Sequence, residues 1–259
     1  GIAWHEKTLG QLFCDTSAKD IVAMLRTLMQ QAGVDLRLQT SASDIERTDG
    51  GFRLTLQTPE GAVPVTCRNL VVATGGKSIP KMGATGLAYD IARQFDIPVT
   101  ATRAGLVPFT FTDARFAAIS GTAARARVTA GGVSFNEALL FTHRGLSGPA
   151  VLQASSYWED GTPISVNLAP EGNLYATLRD QRQTSGRRNL TTELSHHLPA
   201  RLVDHLCSQM DLSGNLADWS DQRLQKLCTT LTQWPLTPSG TEGYRTAEVT
   251  LGGVDTDSV

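Results

Sequence analysis

No G-x-G-x-x-G stretch occurs in these 259 residues, so the chain carries no dinucleotide fingerprint for a pyrophosphate. G-x-S-x-G is missing as well, which excludes the nucleophile elbow of an α/β-hydrolase. Cysteine is scarce: Cys14, Cys67, Cys207 and Cys228 stand far apart and form no C-x-x-C pair. That pattern speaks against a disulfide framework and predicts a cytoplasmic chain with reduced thiols. No apolar run approaches the length that spans a bilayer, and no secretory leader pattern opens the chain, so no membrane role is expected. Neither sign of charge dominates, the formal net charge being −2. This balance predicts a small-molecule substrate and no nucleic-acid partner; nothing in it speaks to oligomeric state. The first residue is Gly1 rather than an initiator methionine, and the last, Val259, follows closely on a glycine pair. Both ends therefore read as interior sequence, and a fragment is expected.

What is present centres on residues 69–77. Leu70, Val71, Val72 and Ala73 run without alternation, as in a strand covered on both faces, and stop at Thr74, Gly75 and Gly76. Ligands in open α/β sheets lie beyond the carboxyl ends of strands, and glycines there admit close backbone approach. Residues 86–95 follow as a helix with Leu87, Ala88, Ile91, Ala92 and Phe95 on one face. Buried strand, glycine turn and amphipathic helix together predict a nucleotide or cofactor site, against the plainer reading of a tight turn alone. Gly76-Lys77-Ser78 also ends like a P-loop, but Val71 stands where that motif needs its first glycine.

Earlier, residues 17–31 form the clearest helix, with Thr16 or Ser17 as cap, Asp20 in the first turn and Gly33 as stop. Val34, Leu36 and Leu38 alternate as a strand. Thr48-Asp49-Gly50-Gly51 signals a hairpin into a strand containing Phe52, Leu54 and Leu56. After Pro98 short β-like runs dominate up to residue 169, and residues 170–235 turn helical and polar. Ala247 to Val254 then resumes a glycine-ended strand. The expected organisation is a first α/β part at 1–98, an insertion at 99–245 and a return to the first part at 246–259.

One further constellation is Phe141-Thr-His143-Arg144-Gly-Leu-Ser147-Gly148-Pro149, ahead of a helix over 150–157. Pro149 suits a first helical position, and Arg144, Ser147 and Gly148 could grip an anion at that start, or merely cap an ordinary helix. His143 is a candidate proton donor, a structural histidine being the plainer reading. His205 and Cys207 lack the paired companions of a zinc site, so no metal is expected.

Several stretches together resemble the BaiN/YhiN-like bacterial flavoproteins, which are NAD(P)/FAD-dependent oxidoreductases. They are Leu9 to Cys14, Leu70 to Gly76, Gly83 to Gly86, Leu106 to Pro108, Phe141 to Pro149 and Ala247 to Val254. The resemblance implies a partial Rossmann-type FAD-binding domain interrupted by a β-barrel-like and helical substrate domain. It further implies FAD, with NAD(P)H as electron donor. On that basis Ala42 lies by the adenine, Ala73, Thr74, Gly75 and Gly76 approach the cofactor, and Thr250, Gly252, Gly253 and Val254 return near the isoalloxazine. The family's opening fingerprint and closing flavin segment are not in this sequence. The expected function is therefore an FAD-dependent oxidoreductase core, the alternative being a non-catalytic anion-binding module built on Arg144 and Ser147.

Overall fold

A computed structural model describes residues 1–7 and 10–258; Leu9, in the first stretch of the resemblance, lies outside them. The chain divides into two compact units, Gly1–Val71 and Val72–Val259.

The first unit begins with a short hairpin of β1 (Trp4–Glu6) and β2 (Leu12–Cys14), followed by α1 (Lys19–Gln31). The cap position falls on Ala18 and carries no side-chain cap, so the expected Thr16 or Ser17 cap is not formed; Ser17 Oγ accepts only from the Lys19 N–H, at 3.2 Å. Gly33, at φ +67°, stops the helix, and its N–H reaches the Gln30 carbonyl at 3.1 Å. A three-stranded meander follows: β3 (Ser41–Thr48), β4 (Gly51–Thr58) and β5 (Gly61–Cys67). Thr48 pairs with Gly51 across the predicted two-residue turn, and Ile45 and Leu54 are buried.

Two further expectations fail here. The Val34–Leu36–Leu38 alternation forms no strand, and Leu38 is 74% exposed. The run 70–73 forms no strand, and Val71 is 85% exposed, so the covered strand is not formed. A parallel strand needs hydrogen-bonded neighbours and helices over its faces, and among the described residues nothing supplies them. For the same reason α1 buries no residue, although Ile21, Val22, Leu25 and Leu28 share its apolar side.

The second unit carries the main core. Its elements are α2 (Leu87–Gln94), β6 (Arg103–Gly105), β7 (Phe109–Thr110), β8 (Ala123–Ala130), β9 (Val133–Phe141), β10 (Gly145–Ser147) and α3 (Pro149–Ser155). Then come β11 (Ile164–Asn167), α4 (Leu174–Ser185), α5 (Leu190–Leu194), α6 (Ala200–Gln209) and α7 (Asp221–Thr232). The last strands are β12 (Trp234–Leu236), β13 (Gly240–Thr241) and β14 (Val249–Leu251). Seven strands form one antiparallel sheet in the order β12-β11-β8-β9-β10-β7-β13. On β8, Ala124, Ala126, Val128 and Ala130 point into the core while Arg125 and Arg127 point out, the period-two pattern of a one-sided sheet. The small side chains Ala150 and Ala154 let α3 lie close over β8 and β9.

The helical part shares this core. Leu178, Leu194, Leu202, Leu206, Leu224 and Leu231 join Phe109, Phe116 and Phe141 in one continuous cluster. Helix α7 shows why the pattern works. Ser220 caps it by accepting from the Arg223 N–H at 3.2 Å, and Leu224, Leu227, Cys228 and Leu231 fall on one face. Mixed α/β is thus the observed class.

One small element carries the expected cofactor segment. β14 pairs antiparallel with β6, placing Thr250 opposite Ala104. Arg103 ties β6 to the end of α3, its guanidinium donating to the carbonyls of Ser155 (3.4 Å), Ser156 (2.5 Å) and Trp158 (3.3 Å). These are carbonyls that a helix end leaves without partners.

Candidate functional site

The loop after Ala73 meets β14 across a long sequence separation. Thr250 Oγ1 accepts from the Lys77 N–H at 2.8 Å and the Ser78 N–H at 3.2 Å, and lies 3.0 Å from Ser78 Oγ. The two loop glycines do different work. A Cβ on Gly76 would sit 2.5 Å from Thr250 Oγ1 and 3.0 Å from Tyr89 Oη, so its bareness serves internal packing. Gly75, at φ +71°, has nothing within 4 Å of its Cβ position. Only Gly75 leaves the loop open outward, and Ala73 and Thr74 beside it are exposed.

Lys77 extends from this loop into a half-buried setting. Its Nζ donates to Thr102 Oγ1 at 3.0 Å and stands 5.4 Å and 5.8 Å from the ring centres of Tyr89 and Tyr244. Tyr244 is held in place through its carbonyl, which accepts from the Ile79 N–H at 2.9 Å. The hydroxyls of Tyr244 and Thr246 are buried and have no hydrogen-bond partner. Such groups are costly unless something pairs with them.

The remaining glycines fold back on residues 98–101. The Gly253 carbonyl accepts from the Thr100 N–H at 2.8 Å, and Val99 bridges to Val254. A Cβ on Gly252, at φ +74°, would strike the Ala101 carbonyl oxygen. Thr250 therefore meets Gly76 and Lys77, while Gly252, Gly253 and Val254 lie against residues 99–101. Ala42 belongs to the first unit, on β3 opposite Leu56.

The stretch around Ser147 is engaged otherwise. Arg144 lies 3.7 Å from Glu242 across its guanidinium, so its charge is partly answered. Gly148 backs onto β9, where a Cβ would lie 2.7 Å from the Ala138 carbonyl oxygen. Ser147 pairs with Leu140, and the helix beyond it has only seven residues. His143 is exposed on the turn between β9 and β10.

Sequence reasoning missed Tyr89, Thr102 and Tyr244, and weighed Lys77 only as part of a P-loop. Tyr89 is buried on α2, outside the face expected for that helix. No local signal marks these residues; they matter because distant segments bring them together. The thiols are poor nucleophile candidates: burial pushes Cys228 up to about 11 and, with Asp204 nearby, also raises Cys207.

Against known proteins, residues 103–249 match the HI0933-like protein barrel and H2TH domain. Over 268 aligned residues the chain is 48% identical to the ribosomal RNA dihydrouridine synthase of Escherichia coli (strain K12), covering 100% of this chain. It is 44% identical to the protein of the same name from Haemophilus influenzae (strain Rd), covering 99% of this chain. The chain spans 65% of the length of each.

These findings correct two expectations. The resemblance to BaiN/YhiN-like NAD(P)/FAD-dependent oxidoreductases gives way to kinship with proteins named as ribosomal RNA dihydrouridine synthases. The exclusion of nucleic acid, and the small-molecule substrate expected in its place, are overturned by the RNA in that name. The physical reason is that net charge averages over a surface, whereas phosphate contacts need only local cations. Arg127, Arg179 and Arg187 are exposed and form no ion pair among the described residues. Membrane passage is a separate matter: no helix of the described residues is long and apolar enough to cross a bilayer. With a family match over more than half its length, the chain belongs to the HI0933-like family.

Proposed function

We propose that this chain is the larger part of a flavin-dependent enzyme that reduces uridine to dihydrouridine in ribosomal RNA. The observation that carries the reading is the 48% identity to a synthase of that name over the whole chain. In this reading residues 99–245 are an insertion, and 1–98 with 246–259 belong to a Rossmann-type FAD-binding domain. The Val99–Val254 pairing supports it, since the two ends of the insertion then lie side by side. The uncovered apolar sides of α1, 34–38 and 70–73 support it too. Each large apolar side chain left in water forgoes about 2 kcal/mol of burial.

The residues present fit a flavin. Gly75 offers a bare, outward-facing backbone, and Tyr244 and Thr246 offer unmatched hydroxyls. The residues expected to hold the cofactor in the second unit are Ala73, Thr74, Gly75, Gly76, Thr250, Gly252, Gly253 and Val254. When bound, a flavin already reduced by NAD(P)H supplies the hydride, and a proton from solvent completes the saturation of the uracil C5–C6 bond. Thr250 holds the loop by taking up two of its N–H groups, and the walls of Tyr89 and Tyr244 restrict water near Lys77. Because the Lys77 and Ser78 N–H groups are occupied by Thr250, the two donors that would follow a P-loop glycine are not free for a phosphate.

The test uses the full-length protein. It is expected to purify with a flavin absorption spectrum. Given NAD(P)H, it is expected to add two hydrogens to one uridine of ribosomal RNA from cells lacking it, read by mass spectrometry of nuclease fragments. A colourless protein that takes up no flavin, or intact uridine after turnover with bound flavin, overturns the assignment.

A further inference from the structure

Lys77 is a cation with unused capacity. An ammonium has three N–H donors, and a single acceptor is found for them, Thr102 Oγ1. No carboxylate lies within ion-pairing distance of it among the described residues, although Asp90 is close by in sequence to Tyr89 and pairs instead with Arg93. Its sides are walled by the rings of Tyr89 and Tyr244, whose faces favour a cation. The hydroxyl of that same Tyr244 is buried without a hydrogen-bond partner.

The shape of this setting selects among anions. A tetrahedral phosphate is best held by several convergent backbone donors, and here the Lys77 and Ser78 N–H groups are both spent on Thr250. One point charge between two aromatic walls, with one hydroxyl still to be matched, suits a flat ring bearing a carbonyl. The pyrimidine edge of isoalloxazine and uracil itself share that O=C–N–C=O pattern, and each takes on negative charge as reduction passes through it. A preplaced cation lowers the energy of such charge in a half-dry site.

We propose that Lys77 is the cationic contact for a planar imide ring that becomes anionic during reduction, positioned by Thr102, Tyr89 and Tyr244. This rests on the flavin-dependent reading above. The test uses flavin-loaded full-length protein with Lys77→Met and Lys77→Arg. Sulfite adds to N5 of oxidised flavin and leaves negative charge at N1 and the C2 carbonyl, so its affinity reports a cation there. If the ring is the flavin, Lys77→Met weakens sulfite binding roughly tenfold, equivalent to about 30 mV in the two-electron potential, and Lys77→Arg restores most of it. If the ring is uracil, sulfite binding is unchanged, whereas kcat on ribosomal RNA falls roughly tenfold in Lys77→Met at unaltered KM and recovers in Lys77→Arg. Unchanged sulfite affinity together with unchanged kcat, in a variant that still holds flavin, overturns the proposal. Should Lys77→Met not fold, Thr102→Val releases the ammonium without removing it, and sulfite affinity and kcat both at wild-type values again overturn it. A wild-type protein without flavin is a different failure, that of the underlying reading, and removes this proposal with it.

Discussion

Gly75 and Gly76 are neighbours with opposite reasons for being glycine. At Gly76 an added methyl meets Thr250 and Tyr89, so Gly76→Ala is expected to lower stability by about 2 kcal/mol, seen as a lower Tm. At Gly75 the space is open and only the φ of +71° resists a side chain, at about 1 kcal/mol. Gly75→Ala is therefore expected to fold but to lose flavin affinity, measured by fluorescence quenching on titration. Equal flavin affinity in Gly75→Ala and wild type would remove this glycine from the cofactor contact.

Cys228 gives a second residue-scale outcome, this time in pH. Burial raises its thiol from the ordinary 9.0 to about 11, so the folded chain keeps the proton more firmly than the unfolded one. The sign follows: its contribution is intact below pH 9 and is lost as pH rises towards 11. The loss amounts to ~3 kcal/mol when complete. Urea midpoints measured across that range should fall more steeply for wild type than for Cys228→Ala, and parallel curves would contradict the assignment.

At the scale of elements, the helices and hairpins with complete local instructions form where their residues ask for them. Helix α7 has its Ser220 cap and apolar stripe, the Thr48–Gly51 turn has its glycines, and α1 has its Gly33 stop. The two runs that fail, 34–38 and 70–73, carry strand-like residues but depend on partners that local sequence cannot supply. Helix α1 is the sharpest case, amphipathic throughout and buried nowhere. Leu25→Glu is accordingly expected to change the stability of this chain by less than about 0.5 kcal/mol. In the full-length protein, where the proposed Rossmann domain covers that face, the same change is expected to cost about 2 kcal/mol or more. Thermal melts of both proteins decide it; equal effects would mean that the apolar face of α1 stays uncovered.

Across the whole molecule, charge has to be read by position. A net charge of −2 still leaves Arg127, Arg179 and Arg187 exposed and unanswered among the described residues. If ribosomal RNA is the substrate, the logarithm of its association constant with the full-length protein should fall linearly with the logarithm of salt concentration. The slope is expected to drop by about one for each phosphate-contacting arginine removed. A salt-independent affinity would place recognition elsewhere than on the phosphates.

Legibility of the candidate site was similarly divided. The glycine turn and the return segment at Thr250 stand out in sequence because glycine pairs and alternation are local signals. Their meeting does not, since Lys77 and Thr250 stand 173 residues apart with the sheet and helical core between them in sequence. Tyr89, Thr102 and Tyr244 carry no motif at all, and their value lies in surrounding one ammonium group.

The order of amino acids by itself determined the one-sided strands, the capped helices and the places where backbone must bend, because those follow from side-chain period and φ preference. Tertiary structure alone decided which apolar runs are covered, which glycine faces outward and which cation is left without a counter-charge. Those properties belong to pairs of distant groups, and no single stretch of chain contains both members.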